Sequence, residues 1–370
     1  MSNEDQHAPR GAPPAQERTG RPASVPGARA TDAATSGRAR PSTAGPAAPV
    51  PPRPRARWHV LAVVVGLLVT PLGLWLLGLG ISDLSPLTTG EPALRGLLWV
   101  LAGAVALSVV AAAGALGSSL ALIVGGTVWA AAPGLLGVLG VLRAEPTATG
   151  YVTDRTTGTL DLLLPTGFLL TVGVVLIAAG VAVHVARRAG RHQERADAAL
   201  VADAVRRGTR TPVPPASRLT AHLASTVVAL LLMPLSLVML SRAAGWLRAV
   251  DEGEAGWGSD VASLLALLAA LACVTAVMLT AGASSLGPQL AGWVMAVLPA
   301  VGVLLRDMTG WSWLDAPIDA VTRTPGSLLL VTTDFLLYLG VVTIVGGAAA
   351  HWARRHGRHL ERSELALRAC

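Results

Sequence analysis

His184, Arg188, Arg191 and Arg195 follow one another at spacings of 4, 3 and 4 residues, and His351, Arg355, Arg358 and Arg362 repeat the pattern. On a helix this spacing gathers the basic side chains on one face. The chemistry open to such a face is recognition of anions. One candidate is the headgroups of an anionic leaflet, at about 1 kcal/mol per basic residue; another is an acidic cytoplasmic protein. The plainer role of the same stripe is to anchor a helix end at the inner membrane interface.

Three further sets of residues could do chemistry. His59, His184, His192, His222, His351 and His359 raise the question of a metal or haem. His184 and His192, however, stand roughly 12 Å apart along a helix axis, and the H-x-E pairs His192/Glu194 and His359/Glu361 lack the P-C-x-x-C partner of the zinc deaminases. No metal, cofactor or catalytic residue is therefore expected, and polar anchoring at the interface explains the histidines. Asp334 is the acidic residue that hydropathy places well inside an apolar run, with Thr332 and Thr333 beside it. An intramembrane carboxyl is costly and usually faces a cavity or a partner, so these three residues are the candidates for proton or cation transport. A protonated or hydrogen-bonded carboxyl is the alternative. Pro71, Pro133, Pro234 and Pro299 each fall within an apolar run and should kink it, either as static fitting or as a hinge. Cys273, in an apolar run, reads as packing.

Composition bounds what can position these groups. Of the 370 residues, 52% are hydrophobic and 14% are charged, against roughly 25% charged in soluble domains. All 29 basic Lys/Arg residues are Arg. Lacking Lys, the chain cannot be a P-loop nucleotidase, a protein kinase or a Ser-x-x-Lys acylase, or a pyridoxal-phosphate enzyme. Residues 1–57 are rich in Pro, Ala, Arg, Ser and Thr, carry nine Arg against four acids, and predict a disordered tail. No apolar stretch precedes Trp58, so a cleaved signal is not expected.

Eight apolar runs follow: 58–80, 96–115, 119–142, 162–185, 222–240, 261–280, 286–305 and 328–352. Each is near the ~20 residues that cross a hydrocarbon layer as a helix. The segment 187–218 holds eight Arg and three acids, and the tail after Arg354 is also basic. The segments 81–94, 143–161, 241–260 and 306–326 together hold twelve acids and six Arg. The positive-inside rule then predicts a multi-pass protein of the cell membrane with both termini cytoplasmic. Trp58 and Trp352 would sit at the inner interface, and Trp246, Trp257, Trp311 and Trp313 at the outer one.

The chain also repeats itself. Residues 168–200 and 335–367 agree at twenty of 33 positions without a gap, including H-x-A-R-R-x-G-R-H-x-E-R in both. Ser118 answers Ser284, Pro133 answers Pro299, His59 answers His222, and Pro71 answers Pro234. Gly173 and Gly180, matched by Gly340 and Gly347, suit a close-packed seam. Asp334 breaks the repeat, because Gly167 stands at its equivalent position. The expected fold is an all-α integral membrane protein of eight transmembrane helices in two parallel four-helix repeats. Its parts are a tail at 1–57, a first unit at 58–207, a linker at 208–220 and a second unit at 221–370. Two functions follow. One is a non-enzymatic scaffold or interaction protein using the Arg-rich inner surface, with the bilayer and an anionic lipid or acidic protein as partners and no nucleic acid. The other is a secondary transporter with its site near Asp334 between the repeats. A closed apolar seam there favours the first, and a polar cavity the second.

Overall fold

Long stretches of Leu, Val, Ala and Gly with few charges can satisfy their backbone in lipid only as helices. The computed structural model describes residues 55–84, 93–142, 163–208, 217–257, 259–309 and 333–369. These residues are 88% helical, with no strand among them. The helices are α1 (Arg55–Leu84), α2 (Ala93–Leu116), α3 (Leu120–Val138), α4 (Phe168–Arg206), α5 (Leu219–Asp251), α6 (Val261–Thr280), α7 (Leu286–Thr309) and α8 (Thr333–Ala369). Seven of them are long and apolar enough to cross a membrane. In α7 the apolar stretch whose side chains are described is Leu286–Leu298. The expected disordered tail lies outside the described residues except for 55–57, which already belong to α1.

The surface confirms the solvent these helices are built for. Leu61, Val64, Leu68, Leu72 and Trp75 on α1, and Leu94, Leu98, Leu101, Val105 and Val109 on α2, are all exposed at helical spacing. A continuous apolar stripe of that size would be untenable in water. The chain is a polytopic membrane protein by the apolarity of its helices.

The core sits around α4 and α8. In each of them 72% of the apolar window is buried, against 28–44% in the other candidate spans. The packing follows one pattern twice. α1 packs on α2 and α3, and α3 packs on α4; α5 packs on α6 and α7, and α7 packs on α8. Across the middle α4 meets α8, while α4 touches α6 and α8 touches α2.

Small residues set these crossings. Gly80 lies against the Gly96 carbonyl and Gly103 against that of Gly73, so α1 and α2 approach to backbone distance. Gly126 of α3 packs on Gly173 and Leu176 of α4, and Gly292 of α7 packs in the same way on Gly340 and Ile344 of α8. Gly167 has a φ of 71° and turns the chain into α4, a conformation that favours glycine.

The proline in the first helix has an identifiable compensation. Pro71 has no N–H, so the Leu67 carbonyl four residues earlier loses its helical partner. The Trp129 indole donates to that carbonyl at 2.9 Å. Trp129 belongs to a π-helical turn, Thr127–Ala131, in the middle of α3, directly before Pro133, where the regular ladder is also interrupted. At the C-terminal end of α1, Arg95 pairs with the buried Asp83 at 2.8 Å. In the second half Trp246 is buried edge-on against Trp257, with ring centroids 5.6 Å apart. Trp58 and Trp352 are exposed, while Trp311 and Trp313 lie outside the described residues.

Candidate functional site

α4 and α8 have 39 and 37 residues. At 1.5 Å per residue each runs to roughly 55–60 Å, about twice the hydrocarbon thickness. Their apolar parts end near Ala186 and Ala353, and the remainder is the duplicated Arg-rich stretch. The candidate site is built where that stretch begins.

Gly190 and Gly357 make the crossing possible. A Cβ at Gly190 would run into the Arg354 carbonyl oxygen, and a Cβ at Gly357 into that of Arg187. The two contacts are the same contact seen from either helix, because Gly190 matches Gly357 and Arg187 matches Arg354 in the repeat. At the other end of the apolar region Phe168 meets Phe335 edge-on, with centroids 4.6 Å apart. These are the only two Phe in the chain, and they too are repeat equivalents.

Beyond the crossing, charge locks the helices reciprocally. Arg195 donates to both carboxylate oxygens of Glu361, at 2.6 and 3.0 Å. Arg362 donates to Glu194 at 2.8 Å. Arg358 adds bonds to Glu194 at 3.1 Å and to Asp197 at 3.3 Å. Both glutamates are buried. The hydrogen bond from Arg362, with help from Arg358, holds the Glu194 carboxyl below the usual carboxylate range against the opposing effect of burial. Arg195 does the same for Glu361.

The first arginine of each A-R-R triplet does something else. Arg187 donates to the carbonyls of Gly114 (2.6 Å), Ala115 (2.7 Å) and Gly117 (3.0 Å), capping the C-terminus of α2. Arg354 bonds the Gly282 carbonyl in the turn after α6. Ser118 and Ser284 accept from the N–H of Leu120 and Leu286, each at 3.3 Å, starting α3 and α7 alike. His222 lies 2.7 Å from Ser284 through Nδ1.

The six arginines of the expected contact stripe therefore divide. Arg195, Arg358 and Arg362 are met by acids of the opposite helix. Arg188 and Arg355 are exposed, with no acidic partner among the described residues. Arg191 is half-buried, and its Nε has no hydrogen-bond partner among the described residues. Thr333 and Asp334 are the first residues of the described part of α8, and Thr332 lies outside the described residues. His59, His184, His192, His351 and His359 are all exposed. Among the described residues no group of three or more His, Cys, Asp or Glu side chains converges on one point.

Sequence reasoning missed Glu194, Glu361, Arg187 and Arg354 as working residues. The signal was present in the repeated motif itself. Acid and base stand at neighbouring equivalent positions in both copies, as reciprocal pairing across a two-fold relation requires. Comparison of the chain with protein-family models, with curated proteins and with solved structures finds no match.

Proposed function

We propose that the chain is an eight-span protein of the cell membrane that works as a non-enzymatic scaffold. Two parallel four-helix repeats are fused, both termini lie in the cytoplasm, and the inner ends of α4 and α8 form the contact surface. The direction of α4 and α8 supports the span count. Phe168 meets Phe335 at one end and Arg195 meets Glu361 at the other, so the two helices run parallel. An odd number of crossings between them fits that direction, with α5, α6 and α7 supplying three and α7 serving as the eighth span. The basic balance of the segments at the inner ends supports their cytoplasmic placement.

The observation that carries the scaffold reading is the buried, apolar packing of α4 on α8 among the described residues. Phe168 packs on Phe335 and on the fully buried Tyr338, whose hydroxyl donates to the Leu74 carbonyl at 3.4 Å. Farther along, Gly346 lies against Ala179 and Met278. Alternating access needs a path that opens between such halves, whereas a docking platform needs them fixed, as the reciprocal ion pairs fix them. Arg188 and Arg355, exposed and without acidic partners among the described residues, are the residues left to meet an anionic lipid or an acidic protein.

The test is crosslinking and pull-down of the full chain from native membranes. The double variant Arg188→Gln/Arg355→Gln is expected to lose a partner that the wild type and Asp334→Asn both retain. A partner set unchanged by the arginine variant would sink the reading. So would a cellular phenotype produced by Asp334→Asn alone, which would favour transport.

A further inference from the structure

The repeat is imperfect at one corner of the α4–α8 crossing. Arg358 bonds Glu194 and Asp197, but its equivalent, Arg191, makes no ion pair among the described residues. Glu361 is near enough to feel the charge of Arg191, yet both its oxygens are already bonded by Arg195. One turn back on α4, Arg187 spends its two Nη groups on the end of α2, and its Nε is buried without a partner. Half-buried His356 adjoins Gly357, where α8 comes against the Arg187 carbonyl, and stands where the matching stretch of α4 has Ala189. Burial, and then Arg187, Arg191 and His359, hold its imidazole below the usual range. Two cations and an imidazole thus gather with two buried N–H donors left unbonded. Buried cationic donors of this kind are costly unless an anion completes them.

The depth of the corner points to the anion. Arg187 caps the turn at Gly117, and Gly117 lies beside the backbone of Trp58 at the start of α1. Tryptophan and the first arginines after an apolar run mark the headgroup level. The four Arg and two acids within each of 187–197 and 354–364 leave a cationic excess there. Guanidinium groups at that depth match the oxygens of a phosphate.

We infer that the corner formed by Arg187, Arg191 and His356, on one side of the α4–α8 crossing, binds the phosphate of an anionic lipid headgroup. The site rests on the cytoplasmic-leaflet placement proposed above, and not on the existence of a protein partner.

The test uses the purified full chain, stripped of lipid in detergent. It is titrated with a short-chain phosphatidylglycerol, with phosphatidylcholine of the same chain length, and with inorganic phosphate, and binding is read by native mass spectrometry. The wild type is expected to prefer the anionic lipid over the choline lipid by at least about tenfold. Arg191→Gln should remove that preference, since one charge-assisted hydrogen bond is worth about tenfold or more in affinity. His356→Ala installs the residue of the other repeat and folds by that precedent; it should weaken the preference as well. Arg248→Gln, at the far end of α5 where the guanidinium bonds Glu252, should leave it within about twofold. Equal binding of both lipids by the wild type, or full preference in both Arg191→Gln and His356→Ala, would overturn the site. Inorganic phosphate binding as tightly as the lipid, in an Arg191-dependent way, would overturn the lipid as its occupant. Loss of crosslinked partners with the lipid preference intact would count against the scaffold alone.

Discussion

Arginine does three different jobs within one short motif, and neighbouring atoms decide which. Arg187 and Arg354 cap helix ends, Arg195 and Arg362 bind buried glutamates, and Arg188 and Arg355 face outward. The paired residues should behave as a unit. Arg195→Glu or Glu361→Arg alone places like charges across the crossing and should lower the thermal unfolding midpoint in detergent. The double variant Arg195→Glu/Glu361→Arg restores opposite charges and should recover most of the loss, a coupling expected of residues in one network. Additive losses would show that the pair carries no stability. The pH dependence follows from the same bonds. The Glu194 and Glu361 carboxyls are held below the usual range in the folded chain. Their stabilisation is therefore fully present above the ordinary glutamate pKa of about 4.3, and is lost as pH falls through the depressed folded value. Spin labels at Ala204 and Leu367 should keep their separation from pH 7 to pH 5 and part only in stronger acid. Parting at pH 6 would mean that other groups govern the crossing.

At the scale of elements, the helices pack through glycine, and here the reading from sequence and the structure can be compared residue by residue. Apolar length and the duplicated motif were enough to locate α4 and α8, and the matched Gly173 and Gly340 do form close approaches. The stripe spacing identified a helix face but not what that face meets, because residue spacing on one helix carries no information about the helix opposite. Arg188 and Arg191 are neighbours on the stripe, yet one is exposed and the other half-buried. The pairing of Trp129 with the Leu67 carbonyl was equally hidden, since the partner lies 62 residues away and only the fold brings it to the carbonyl that Pro71 frees. Pro133 signalled an interruption of α3 but not that it would take the form of a π-turn. The close approach between α4 and α8 gives a clear expectation. Gly190→Val drives side-chain atoms into the Arg354 backbone, which cannot rotate away, and should cost about 1–3 kcal/mol as other overpacked positions do. Gly256→Ala, where an added Cβ meets nothing within 4 Å, is the control and should be neutral. Unfolding in detergent measures both, and equal midpoints would mean that the crossing is looser than drawn.

For the whole molecule, the two longest helices carry matching sequences and meet across one seam. An isologous contact requires residue i to touch j and j to touch i. The crossing satisfies this at Gly190–Arg354 and Gly357–Arg187, and again at Arg195–Glu361 and Arg362–Glu194. These contacts, like Phe168–Phe335, join matching levels of the two helices, so α4 and α8 run parallel. The parallel direction of α4 and α8 thus ties the proposed topology to a quantity that can be measured in cells. In a background carrying Cys273→Ser and Cys370→Ser, single cysteines are placed at Arg207 after α4, at Gly256 between α5 and α6, and at Arg368 near the end of α8. An impermeant maleimide added to intact cells should label Gly256→Cys alone, and Arg207→Cys and Arg368→Cys only after the membrane is opened. Labelling of Arg368→Cys in intact cells while Arg207→Cys stays protected would give an odd number of crossings between them. α4 and α8 would then have to run antiparallel, and the contacts at both ends of their seam could not form together.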